Sequence, residues 1–199
     1  MATIPQRTIS QFKSKLIGGG ARPNLFEVQV NFPDGVDLNI QNDGGGEFDG
    51  DRFRFLCKAA QLPASNVGTL EVPFRGRVLK IAGDRTFEPW TITIMNDSGF
   101  KLRTAFETWA SSIQAYAENY TAAAGLGDSS DNSGYFADME VHQLSRGLKD
   151  GEEPKVTKSY KFYNIFPSNI AAIDLDYGNN DAVEEFTVEM QVQYWTPIG

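Results

Sequence analysis

Cysteine and histidine each occur once in this 199-residue chain, as Cys57 and His142, and several chemistries fall with their scarcity. A single cysteine excludes an internal disulfide and a cysteine-built zinc site. Its setting, "FRFLCKAAQLP", is apolar and reads as a buried structural thiol, not a nucleophile. Any Ser-His-Asp arrangement would have to use His142, which stands near Glu140 and Gln143 and reads as a partly exposed strand residue. No GxSxG, P-loop or GxGxxG precedes a helix. The carboxylate pairs Glu152–Glu153 and Glu184–Glu185 are adjacent, so in a strand or turn they point apart or into solvent. No catalytic, cofactor-binding or metal-binding residue emerges, and the chain reads as a non-enzyme.

Long apolar runs are also missing. No stretch approaches the ~20 residues of a membrane span, and the N-terminus lacks the apolar run of a signal peptide. The expectation is a soluble protein made in a cytoplasm, with no membrane anchor. Bases are outnumbered: 18 Lys and Arg against 26 Asp and Glu give a net charge of −8. A protein that grips nucleic acid carries a basic patch, so gripping is disfavoured, whereas letting DNA pass is not. No internal repeat is present.

What the chain does have is core material, 41% hydrophobic and 12% aromatic residues. "TISQFKSKLIGGG" predicts a short helix, with Thr8 and Gln11 at capping-box spacing, Ile9, Phe12 and Leu16 on one face, and Gly18 to Gly20 as a stop and flexible hinge. Residues 1–24 hold four bases (Arg7, Lys13, Lys15, Arg22) and no acid, which suits an arm reaching a neighbour nearly as well as a frayed terminus. "LFEVQVNF" alternates as a strand. Residues 33–51 follow with six acids, five glycines and no base. They lack the EF-hand ligand order and read as a solvated hairpin loop. Strands are then expected at "RFRFLC", "TLEVPF", "RVLKIA" and "WTITIMN", with turns at Pro63, Pro73 and Gly83. Leu102, Phe106, Trp109, Ile113, Tyr116 and Tyr120 step by four and three, predicting one amphipathic helix over about 99–120 behind an Asp/Ser cap. Strands resume at "YFADMEVHQL", "VTKSYKFYNIFP" and "NIAAIDLDY". The last is "EEFTVEMQVQYW", with Phe186 to Tyr194 alternating without a break, and "SRGLKDGEEPK" marks a hairpin turn. The sum is a mainly β fold, a sandwich or barrel with one long helix packed against it.

The order of four segments carries a resemblance: "ARPNLFEVQV", "CKAAQLPA", "AGDRTFEPWTITIMND", and "FYNIFPSNIAAIDLDY" with "VQYW", spanning most of 21–195. In these the chain resembles the tail tube (inner tube) proteins of contractile-tailed, T-even-type bacteriophages. The resemblance implies one tail tube domain over 21–199 behind an arm over 1–20, in a ring-forming fold. It implies hexameric rings stacked head to tail into a rigid hollow tube inside a sheath, a conduit for DNA in the virion. The implied partners are further copies of the chain, the sheath protein, baseplate hub and tube-initiator proteins, a tape-measure protein and a tail terminator. Genomic DNA would pass the lumen without specific binding.

Three groups of residues are candidates for contacts. Asp84, Arg85 and Trp90 form a scaffold or inter-subunit segment, with Asp84 and Arg85 otherwise a turn ion pair. Arg7, Phe12, Lys13 and Lys15 are arm contacts, and Asp43, Glu47 and Asp49 are loop contacts. The arm and the 33–51 loop depart from the compact family pattern. Other readings are the tube of a contractile secretion system, a baseplate tube initiator, a β-sandwich binding module that stays monomeric, and, last, an enzyme.

Overall fold

The computed structural model describes residues 8–16, 20–33, 53–54, 56–121, 125–127, 134–146 and 154–198. In chain order the elements are α1 (Ile9–Lys15), β1 (Phe26–Val30), β2 (Cys57–Ala60), β3 (Asn66–Phe74), β4 (Arg77–Thr86), β5 (Trp90–Met95), α2 (Lys101–Ile113), β6 (Ala137–Leu144), β7 (Val156–Ile170), β8 (Glu185–Gln191) and β9 (Tyr194–Ile198). The fold is mainly β and sandwich-like. Seven strands run in the order β1-β6-β7-β8-β5-β2, with β9 also on β7, and every pairing is antiparallel. β3 and β4 form a separate two-stranded sheet.

β7 joins the two halves. Its first part pairs β6 and β9, and its last residues pair β8. The change of direction comes at Asn164, whose φ of 51° is a left-handed conformation that asparagine tolerates. Opposite it the β6 register slips between Ala137 and Met139. Asp138, freed by that bulge, accepts the Asn164 N–H at 3.2 Å.

The core lies between the halves and under α2. Strict alternation in β5 (Trp90, Ile92, Ile94) and β8 (Phe186, Val188, Met190) sends one face of each inward. From α2, Leu102, Ala105, Phe106 and Trp109 are fully buried at helical spacing. Phe106 is the hub: Phe32, Phe53, Trp109 and Phe186 all place rings within 6.5 Å of its own. Trp109 donates its indole N–H to the Tyr135 carbonyl at 2.8 Å, so its burial leaves no orphan donor.

Several expectations are corrected. The helix ends at Ile113, not near 120. Ser112 bonds back to the Trp109 carbonyl at 2.7 Å and Gln114 is extended, after which Tyr116 and Tyr120 lie exposed outside the stripe. The expected Asp/Ser cap is not the N-cap: that position is Phe100, left-handed at φ 53° and without a side-chain cap bond, while Asp97 three residues before it accepts the Lys101 N–H at 2.9 Å. "RFRFLC" is not a strand up to Cys57; Phe53, Arg54 and Leu56 are helical, and the three-residue step from Phe53 to Leu56 turns both toward the core. Pro73 and Gly83 are strand residues, not turns. "NIAAIDLDY" is no separate strand, since Asn169 and Ile170 close β7 and the rest is irregular. The final strand breaks after Gln191, so Tyr194 begins β9 instead of continuing the β8 face.

Candidate assembly surface

The hairpin formed by β3 and β4 is the part of the molecule that the core does not explain. Its turn is Arg75-Gly76, with φ of 44° and 82°, the two positive values that the tightest hairpin turn demands. The turn thus falls at Arg75-Gly76 and not at the expected Pro73, which is a residue of β3. Near the root the register slips, so that Gly83 and Asp84 oppose Gly68. A Cβ on Gly83 would sit 3.2 Å from the Gly68 backbone, so the close approach needs glycine on both strands.

The root is pinned by two tryptophans. Trp90, buried and stacked on Phe162 at 4.4 Å, donates to the Gln61 carbonyl at 2.6 Å. Trp195 donates to the Ala64 carbonyl and takes the Phe87 ring edge-on. Beyond that root, all nine residues of β3 are exposed, and all of β4 except Gly83.

Register sorts the hairpin into two unlike faces. Leu70 opposes Ile81 and Val72 opposes Leu79, and Phe74 follows on the same side opposite Arg77, with the Arg75 guanidinium 5.5 Å from its ring centroid. The other face carries Thr69, Glu71 and Pro73 against Ala82, Lys80 and Val78, with Lys80 3.6 Å from Glu71. The five apolar side chains are 44–66% exposed. The hairpin is therefore amphipathic with its apolar face uncovered. That is a contiguous patch of the kind that marks an interaction site.

This geometry splits the "AGDRTFEPW" segment. Trp90 is buried in the core, whereas Asp84 and Arg85 lie exposed on β4 near the bulge. The ion pair expected between them in a turn does not form: they are strand neighbours, whose side chains alternate between faces. On the arm, Phe12, Lys13 and Lys15 are on α1, whose capping box forms as expected and which buries no residue. Arg7 lies outside the described residues, as do Asp43, Glu47 and Asp49 with the rest of 34–52.

β1, β2 and β9 each pair on one side only among the described residues, leaving open edges. On the outer face of β6 and β7, His142 and Ser159 are register partners, with Nδ1 and Oγ 2.8 Å apart and Glu140 3.7 Å from Nε2. Ser159 is 9% accessible and its contact follows from strand pairing. Beside them Lys161 reaches Asp138 at 3.1 Å. Burial pulls the Lys161 pKa down, but the Asp138 hydrogen bond, with the charges of Asp138, Glu140 and Tyr163, holds it above its usual value. Among the described residues no group of acids, histidines or cysteines is placed to hold a metal ion, and no helix is long and apolar enough to cross a membrane.

Comparison with known proteins agrees with this architecture. The family model described as "Phage tail tube protein" matches residues 21–197. The chain is 32% identical over 178 residues to the tail tube protein gp19 of Enterobacteria phage T4, covering 89% of this chain and 92% of that one. It is 24% identical to the tail tube protein of Serratia phage KSP90, over 92% and 93% of the two chains. Among solved structures, a chain of the PVC extracellular contractile injection system sheath-tube complex in its extended state superposes with a TM-score of 0.57 at 13% identity, covering 97% of this chain and 99% of that one. A chain of the anti-feeding prophage baseplate does so with a TM-score of 0.55 at 14% identity, over 90% and 96%. The fold is shared with these assemblies, and by sequence the chain belongs to the phage tail tube protein family, a structural component of the virion.

Proposed function

We propose that the chain assembles into hexameric rings that stack head to tail into the rigid inner tube of a contractile tail, surrounded by a sheath and traversed by the genome on ejection. The observation that carries this reading is the uncovered apolar face of the β3–β4 hairpin. A two-stranded hairpin is marginal in water on its own, and this one is held only at its root. Covering five half-exposed apolar side chains contributes roughly 1 kcal/mol each, on the order of 5 kcal/mol per hairpin. Seating the hairpin on a different surface of a neighbour is a heterologous contact, which closes into rings or propagates as a filament. The open edges of β1, β2 and β9 offer backbone groups for the same closure.

The charge supports a conduit. A net −8 repels phosphates, so DNA slides along such a wall instead of binding it. Sheath, baseplate hub, tube initiator, tape-measure protein and terminator are the partners this role brings. The relatives seen in a sheath-tube complex, a baseplate and a sheath/tube terminator support the sheath and the two tube ends. The likeness to a chain of an injection-system sheath-tube complex also keeps a secretion-type conduit as a second reading, which the phage relatives by sequence disfavour. In either case the tube itself stays rigid and is driven by the sheath.

Electron microscopy of the purified chain over a concentration series tests the proposal. Rings with a central hole or hollow filaments are expected for the wild type, and for Leu70→Ser/Leu79→Ser only at roughly tenfold or more higher concentration. Monomers that persist at every concentration, even on a baseplate nucleus, would sink it.

A further inference from the structure

The chain carries two exposed features of opposite charge. α1 is a formed helix with both its capping-box bonds, yet none of its residues is buried. Ile9 and Phe12 are 76% and 67% exposed on one face, and the last turn holds Lys13 and Lys15. Seven residues are far too few for a helix to hold itself in water, so α1 needs a surface to lie on. Among the described residues its own chain does not supply one.

The second feature is a cleft of about 610 Å³ in the segment between β7 and β8. Ile173, Leu175 and Val183 line it alongside Asp174 and Asp176. The surrounding charge is one-sided: residues 162–199 hold six acids and no lysine or arginine. Of the cleft carboxylates, Glu185 is taken by Lys58 and Glu184 by the Asn96 amide. No described cation pairs with Asp174, Asp176 or Asp181. Leu175 and Val183 are 80% and 64% exposed beside them, so the cleft presents apolar side chains interleaved with carboxylates. The arm offers the complement, with four bases and no acid over residues 1–24.

We propose that α1 of one subunit docks in the acidic cleft of a neighbouring copy, its apolar face on Ile173, Leu175 and Val183 and its lysines against Asp174 and Asp176. The occupant is a second copy because the complementary halves lie on one chain and α1 does not lie in its own cleft. Joining two different patches, the contact adds direction to the assembly that the hairpin starts. It deepens the self-assembly reading and rests on it.

Cross-linking of the full-length chain tests the contact. Ser14→Cys is placed in one chain and Asn179→Cys in another, and the mixture is treated with a short bis-maleimide. Cys57 stays silent, because it is buried and its thiol is pushed up to about 12 by that burial. The expected result is a mixed cross-linked dimer in assembled particles, cut at least several-fold by Lys13→Glu/Lys15→Glu in the Ser14→Cys chain. It should be restored when the other chain carries Asp174→Lys/Asp176→Lys. A control pair using the exposed Val156→Cys should give little product. Particles that assemble with no more cross-link than this control, or a cross-link indifferent to charge reversal, overturn the docking while leaving the tube reading intact. Cross-linking without particles fails the tube reading and keeps the contact, and absence of both fails both.

Discussion

β5 alternates Trp90, Ile92 and Ile94 into a packed core, whereas β3 alternates Leu70, Val72 and Phe74 into solvent. The two strands have the same chemistry and lie within one chain. What differs is whether a second layer stands opposite. β5 has β7, β8 and α2 around it, so its side chains find Phe162 and the Phe106 cluster. Among the described residues the hairpin has only itself. A strand pattern reports that a face must be covered, and it does not report which molecule covers it.

Deleting core contents should have the largest effect on the isolated chain. Phe106→Ala removes the hub of the aromatic cluster and should cost about 3–5 kcal/mol by urea denaturation of the monomer. Leu70→Ser/Leu79→Ser should do the opposite of that: monomer stability within ~0.5 kcal/mol of wild type, because those positions are already solvated. Yet assembly should need roughly tenfold or more higher protein concentration by sedimentation, a factor that corresponds to about 1.4 kcal/mol. If both variants moved monomer stability equally, the contrast between body and hairpin would be wrong.

Smaller effects sharpen it. Gly83→Ala puts a Cβ 3.2 Å from the Gly68 backbone, so the strands must part at the bulge. The expected cost is about 1 kcal/mol of hairpin pairing. It should appear as faster amide exchange over 66–86 with the core unchanged. The smallest belongs to the outer face of the body. Lys161 has its pKa raised above its ordinary value of 10.5 when folded, so its contribution is complete at lower pH, where lysine is charged in both states. It is lost as the pH climbs past 10.5 through the folded value, where the pair with Asp138 discharges. The wild type's advantage over Lys161→Met, under ~1 kcal/mol near neutrality, should shrink through that window in denaturation measured against pH.

The sequence made the strands and the helix face legible because burial repeats at two and at three-to-four residues. β5, β6, β8 and Leu102 to Trp109 follow from that alone. It misled where a pattern outlasted its structure. Tyr116 and Tyr120 keep helical spacing, but the Ser112 back-bond and the extended Gln114 had already ended the helix. Phe53 looks like a strand position by alternation with Cys57, although a helical turn serves its packing on Phe106 equally well. The proposed assembly surface was half visible: the AGDRTF segment lies along β4 of the exposed hairpin, and Trp90 is buried at its root. The uncovered face was not legible, because it depends on the pairing of Leu70 with Ile81 and Val72 with Leu79, residues far enough apart that only register joins them.

The central claim is that the hairpin completes its fold on a neighbouring chain. Hydrogen exchange over residues 66–86, in dispersed chains and in assembled particles, tests it most directly. The account predicts fast exchange in the dispersed chain beside well-protected amides in β5 and β8, and protection of the hairpin rising by roughly tenfold or more on assembly. A hairpin already as protected as the core before assembly, or one still open to solvent within the particle, would contradict it.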